Sequence, residues 1–132
     1  MPDGSVRLHG QVPSSVLATE LEGAAVGLVP YRDSAFMRLA VSSKAMEYAS
    51  LGIPVVGSDL PPLRVQLGDD GALFVTPGDA SALAAGIRTI LEDGEKAFAV
   101  AMSAQQHVGD WDWRAVERTY LDAVVGAQEA ST

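Results

Sequence analysis

The chain contains no cysteine. That single absence excludes disulfides, a thiolate nucleophile and any cysteine-ligated metal, and a reducing cytoplasm is the compartment it fits. Histidine is nearly as scarce: His9 and His107 stand far apart, so no histidine metal cluster is expected. Basic residues are few. Nine Lys/Arg face seventeen Asp/Glu, for a formal net charge of −8. Nucleic-acid backbones require a basic face, and the sequence offers none. No apolar run approaches the length of a membrane span, and MPDGSVRLHG lacks the apolar stretch of a signal peptide. Gly-x-Gly-x-x-Gly, Walker and Gly-x-Ser-x-Gly patterns are all missing, which removes the common dinucleotide, P-loop and hydrolase readings.

The chain does carry a substantial apolar fraction, 48% of 132 residues, with 20% charged. That composition folds rather than remaining disordered, and the length suits one domain. Charge is unevenly spread: residues 1–66 carry a net −1 and residues 67–132 a net −7. Four of the five basic side chains of the first half, Arg32, Arg38, Lys44 and Arg64, fall between residues 32 and 64 and are available to an anionic small ligand.

Strand and helix patterns alternate. Val6–His9 reads as a short strand ended by Gly10. Ser14 or Ser15 is placed to cap a helix reaching about Glu22, with Val16, Leu17 and Leu21 on its buried side. Ala25–Val29 is an apolar run ending at Pro30, as in a strand buried on both faces. After the polar loop 31–41, Ser42 or Ser43 caps a helix that stops at Gly52. Pro54–Gly57 is the next strand, Pro61–Leu67 a short helix and Ala72–Val75 a fourth strand. Asp79 caps a helix to about Glu92, with Leu83, Ile87, Ile90 and Leu91 at helical spacing. Helices follow over 95–107 and about 112–125; the last aligns Trp113, Val116, Tyr120 and Val124, and Trp111 and Trp113 are expected packing anchors. The expected fold is α/β: a Rossmann-like parallel sheet of about four strands flanked by helices, wound right-handed.

In such sheets ligands lie beyond the carboxyl ends of the strands. The loop after Pro30 is at such an end, and it leads into a helix start. N–H groups there form an anion site. Ser42, Ser43 and Lys44 supply those groups, and Arg38 lies within reach if the loop folds back. Glu47, one turn in, has a plain reading as an acid that complements the helix dipole. It has a functional one as an acceptor for sugar hydroxyls. A capping box does not explain it, because caps at Ser42 or Ser43 put Ala45 or Met46 at the third helical position. Lys44 sits slightly unfavourably at a helix start, a misfit that an anionic ligand relieves. Phosphate plus diol describes a nucleotide sugar.

The segment PYRDSAFMRLAVSSKAMEYASLGIPVVGSD resembles the donor-binding region of retaining family 4 glycosyltransferases of the GT-B fold. Their pattern runs (P)-x-K-x-x-E-Y/A-x-A-x-G-x-P-V-V-x-(S/T)-D. Pro30, Lys44, Glu47, Tyr48, Gly52, Pro54, Val55, Val56, Ser58 and Asp59 match it. VRLHGQVP before, GALFVTPGDASALAAGI after and the late Trp113 extend the resemblance over nearly the whole chain. It implies that Glu47 binds the donor ribose and that Ser42, Ser43, Lys44 and Arg38 face the donor phosphates. It implies a nucleoside-diphosphate sugar as substrate, no further cofactor and no metal, and a helix beginning at Trp113 that crosses toward another domain.

The chain departs from the family at two positions and in its length. Leu39 stands where many members carry a second Glu, and Ser42 stands where a Pro is common. By comparison with the family, residues 1–132 are expected to form a carboxyl-terminal donor domain without its first strands and without the amino-terminal acceptor domain. Another chain is a candidate to supply that half. The expected activity is transfer of a sugar to a hydroxyl acceptor with retention. The alternative is a non-catalytic fragment or nucleotide-binding module of a split glycosyltransferase. An unrelated α/β interaction domain is a third reading.

Overall fold

The structure is a computed structural model describing residues 6–130, apart from the side chains of Trp113, Ala115 and Gln128. The elements in chain order are α1 (Ser14–Leu21), β1 (Gly27–Val29), α2 (Ser43–Ser50), β2 (Val55–Ser58), α3 (Pro61–Leu67), β3 (Leu73–Val75), α4 (Ala80–Glu92), α5 (Gly94–Gly109) and α6 (Trp113–Ala130).

The three strands form a parallel sheet in the order β1-β2-β3. Gly27 lies opposite Val55 and Val29 opposite Gly57; Val56 then pairs with Leu73 and Ser58 with Val75. β2 is buried along its whole length, as the middle strand of a sheet covered on both faces must be. Successive side chains point to opposite faces, so Val55 and Val56 seed two cores. Val55 joins Val29, Ala45, Ala49, Leu63, Leu67, Ala104 and Val108 among α2, α3 and α5. Val56 joins Ile90 and Val100, with Leu28, Leu73, Val75 and Leu83 against them on the α4 side.

Local chemistry accounts for the helix ends. Ser42 Oγ accepts from the Ala45 N–H, Asp79 from Ala82 and Asp93 from Lys96, each an N-cap. α2 stops at Gly52, whose φ of +70° is a conformation that glycine adopts without penalty. Gly27 serves a different purpose: a Cβ there would sit 2.5 Å from the Tyr48 ring, so its absence lets α2 settle onto β1. α3 opens with Pro61, where a missing N–H costs nothing.

Four expectations need correction. Val6–His9 is not a strand, and the described sheet has three strands rather than about four. A strand exists only through its hydrogen-bonded neighbours, and this segment has none: Val6 is 56% exposed and Leu8 82%. The α1 cap is Pro13, with no side-chain bond, rather than Ser14 or Ser15; Val16 is exposed and no α1 residue is buried. Val116, Tyr120 and Val124 do share a helix face, but all three are exposed. Trp111 is exposed as well. The proposed anchor role of the Trp113 side chain lies outside the described residues.

Candidate functional site

β1 ends at Val29, and the chain turns through Pro30 and Tyr31 into the loop that precedes α2. A line of hydrogen bonds fixes this junction. Ser58 Oγ, at the end of β2, donates to the Tyr31 carbonyl at 2.6 Å. The Tyr31 hydroxyl meets Ser42 Oγ at 2.9 Å. The Ser42 N–H donates to Gln66 Oε1 at 2.9 Å, and Gln66 Nε2 donates back to the Ser42 carbonyl at 3.1 Å. Ser42, Ser58 and Gln66 are all buried. The start of α2 is thereby tied to the carboxyl ends of two strands and to α3.

This geometry sorts the expected site residues. Ser42 is a cap held by its surroundings: both its hydroxyl and its N–H are engaged inside the protein. Ser43 and Lys44 occupy the first turn and are exposed, and first-turn N–H groups have no partner within a helix. Glu47 follows one turn later, half-buried, and no ion pair among the described residues engages its carboxylate. Arg38 is placed differently. It makes a two-pronged contact with Asp33, both distances 2.6 Å. That hydrogen bonding holds the Asp33 carboxyl below its ordinary range and the Arg38 guanidinium above its own. In this arrangement Arg38 does not join Ser43 and Lys44.

Arg64 is also committed. It grips Asp59 through two nitrogens, reaches Asp69 at 3.2 Å and lies 4.3 Å over the Phe74 ring. Of Arg32, Arg38, Lys44 and Arg64, the first and third take part in no ion pair among the described residues. Arg32 borders a shallow cavity of about 180 Å³ with Pro30, Ser58, Thr76 and Asp79. None of Ser42, Ser43, Lys44 or Glu47 lines that cavity, so the strand ends carry two separate features. His9 pairs with Glu20 at 3.4 Å, and His107 Nε2 contacts the Val65 carbonyl at 2.9 Å. No group of three or more His, Asp or Glu side chains suited to a metal ion occurs among the described residues.

Sequence reasoning missed Tyr31 and Gln66. Tyr31 sits in a loop without periodicity and carried no signal. Gln66 did carry one: it lies three residues after Leu63 and beside Leu67, on the face of α3 that is buried, and a polar group in that position needs a partner.

A parallel sheet flanked by helices agrees with the comparisons. The family model for glycosyl transferases group 1 matches residues 2–93. The chain belongs to this family. It is 30% identical over 114 residues to a phosphatidyl-myo-inositol mannosyltransferase of Mycolicibacterium smegmatis, covering 86% of this chain and 28% of that protein. It also superposes on sucrose-phosphate synthase from Thermosynechococcus elongatus with a TM-score of 0.72 at 26% identity. That match covers 93% of this chain and 30% of the synthase. The glycosyltransferase chain thus spans under a third of the length of either relative, and its fold is that of part of a GT-B enzyme. Among the described residues no helix is long and apolar enough to cross a membrane.

Proposed function

We propose that this glycosyltransferase chain forms the donor-binding part of a retaining enzyme of family 4. The enzyme moves a sugar from a nucleoside diphosphate to a hydroxyl acceptor. The bond from the anomeric carbon to the diphosphate breaks, and one to the acceptor oxygen forms on the same face. The observation that carries this reading is the start of α2. Ser43 and Lys44 offer free N–H groups there, and Glu47 offers a half-buried carboxylate one turn away. Charge growing on the departing diphosphate is stabilised by those N–H groups and the Lys44 ammonium, and Glu47 accepts from the ribose hydroxyls. Arg38 contributes to the phosphates only if ligand binding draws it off Asp33. One relative is named a mannosyltransferase and the other a sucrose-phosphate synthase, and both names, with the family match, support a sugar-nucleotide donor here.

A second reading is a nucleotide-binding module without transfer activity of its own. The assigned donor residues all lie within residues 38–47, and no described side chain is assigned to an acceptor or to proton transfer. Thermal melts with millimolar UDP, GDP and ADP test the shared claim of both readings. A ligand at roughly 100 times its dissociation constant adds about 2.7 kcal/mol of stability. One of the three nucleotides is expected to raise the melting temperature, and Glu47→Ala is expected to abolish the shift. Absence of a shift with all three would sink the donor-site reading.

A further inference from the structure

We propose that Gln66 is a positioning residue for the donor phosphates and acts through the backbone of Ser42. The proposal rests on the donor-site reading above and goes beyond the residues that matched the family pattern, none of which is Gln66.

Gln66 is 1% exposed and belongs to the α3 face that also buries Leu63 and Leu67. A primary amide is costly there unless its donor and acceptor are both matched. The matching groups are the N–H and C=O of Ser42, 24 positions earlier, at 2.9 and 3.1 Å. Two antiparallel hydrogen bonds on one residue leave it little freedom to rotate or to slide along the sheet edge. Tyr31 adds a third restraint on the Ser42 hydroxyl, and that hydroxyl caps Ala45.

The consequence falls on the next two residues. The Ser42 N–H faces inward to Gln66, so the outward-facing donors begin at Ser43 and continue with Lys44. Their direction follows from the orientation of the Ser42 peptide groups, which Gln66 sets. Donors fixed before the ligand arrives cost no reorganisation on binding. An apolar side chain at position 66 fills the same space but releases the Ser42 N–H and leaves the Ser42 carbonyl only the long 3.4 Å bond from the Met46 N–H. The diphosphate then meets donors that are no longer aligned, while a base or ribose contact elsewhere is unaffected.

The test compares affinities for a nucleoside diphosphate and its nucleoside, by calorimetric titration with GDP and guanosine and with UDP and uridine. In Gln66→Met the preference for diphosphate over nucleoside is expected to fall about tenfold or more, the scale of one charge-assisted hydrogen bond. Nucleoside affinity should hold. Gln66→Glu gives a second, independent readout that stands even if Gln66→Met fails to fold. When protonated, the introduced carboxyl presents one acceptor and one donor, as the amide does. When ionised it has no donor and opposes the Ser42 carbonyl. Lowering the pH from about 8 to about 5.5 crosses the raised range of a buried carboxyl and should restore the diphosphate preference in Gln66→Glu. The unsubstituted chain, measured at the same pH values, controls for every other titrating group, the nucleotide included. An unchanged preference in Gln66→Met overturns the proposal, as does an equal loss for nucleoside and diphosphate, or a preference in Gln66→Glu that ignores pH. If the unsubstituted chain binds neither ligand, the donor-site reading falls and takes this assignment with it.

Discussion

Tyr31 and Ser58 hold the candidate site in place without reaching for a ligand, and the two substitutions that test them differ in severity. Ser58 is 2% exposed, and its hydroxyl is a buried donor to the Tyr31 carbonyl at 2.6 Å. Ser58→Ala strips the half-buried Tyr31 carbonyl of that donor and leaves a void at a buried position, which costs about 1–3 kcal/mol. Tyr31→Phe removes a half-buried hydroxyl from Ser42, whose oxygen still caps Ala45. Only a neutral hydrogen bond is lost, at about 1 kcal/mol. Urea denaturation should therefore rank Ser58→Ala as the more destabilising change. The reverse order would mean that the hydroxyl pair, rather than the backbone contact, carries the junction.

At the level of elements, α2 and α4 were legible because their signals are local. A Ser or Asp cap, a helical stripe and a glycine stop all lie within one segment, and Ser42, Asp79 and Gly52 serve those roles. Val6–His9 was not legible, because its apolar pattern is that of a strand while strand formation depends on residues elsewhere in the chain. The same limit hid Gln66: its face was predictable, but its partner 24 residues away was not. The Arg38–Asp33 pair was not legible either, because the sequence does not reveal which of two anions, Asp33 or a ligand, a loop arginine will meet. α3 is held at both ends by Arg64, which bonds Asp59 and Asp69 and covers Phe74. The hydrogen bond from Arg64 lowers the Asp59 carboxyl from its usual 3.8. A carboxyl depressed in the folded state stabilises above its unfolded value, and that contribution is lost as pH falls through the folded value. Arg64 is raised above its already high ordinary value by the same hydrogen bond, so its own window lies far above physiological pH. Denaturation midpoints should stay level from about pH 8 to about pH 5 and drop below about pH 4. Arg64→Met should flatten part of that acid drop. Both side chains are more than a third exposed, so the effect should be small and weaken in salt. An acid limb identical in both proteins would show that the pair contributes nothing.

For the whole molecule, two opposing features decide whether copies associate. The outer edge of β1 has no described strand beside it, and unpaired edges template pairing with other chains. Exposed apolar side chains add to this: Leu8 and Val16 near the amino-terminal end, and Val116, Leu121 and Val124 along α6. Against them stands a net charge of −8, which makes every encounter between copies repulsive at low ionic strength. Salt screens that repulsion, shrinking its range from about 30 Å at 0.01 M to about 3 Å at 1 M, and leaves apolar contact and strand pairing intact. Sedimentation velocity at increasing salt should therefore show a monomer at about 0.02 M giving way to larger species at about 0.5 M. Ordinary salt-bridged dimers respond in the opposite direction, so the sign of the change identifies the force. A monomer at every salt concentration and every protein concentration would mean that the β1 edge is already protected. In that case the exposed segment before α1 is the element to examine, because it is near enough in sequence to fold back over that edge.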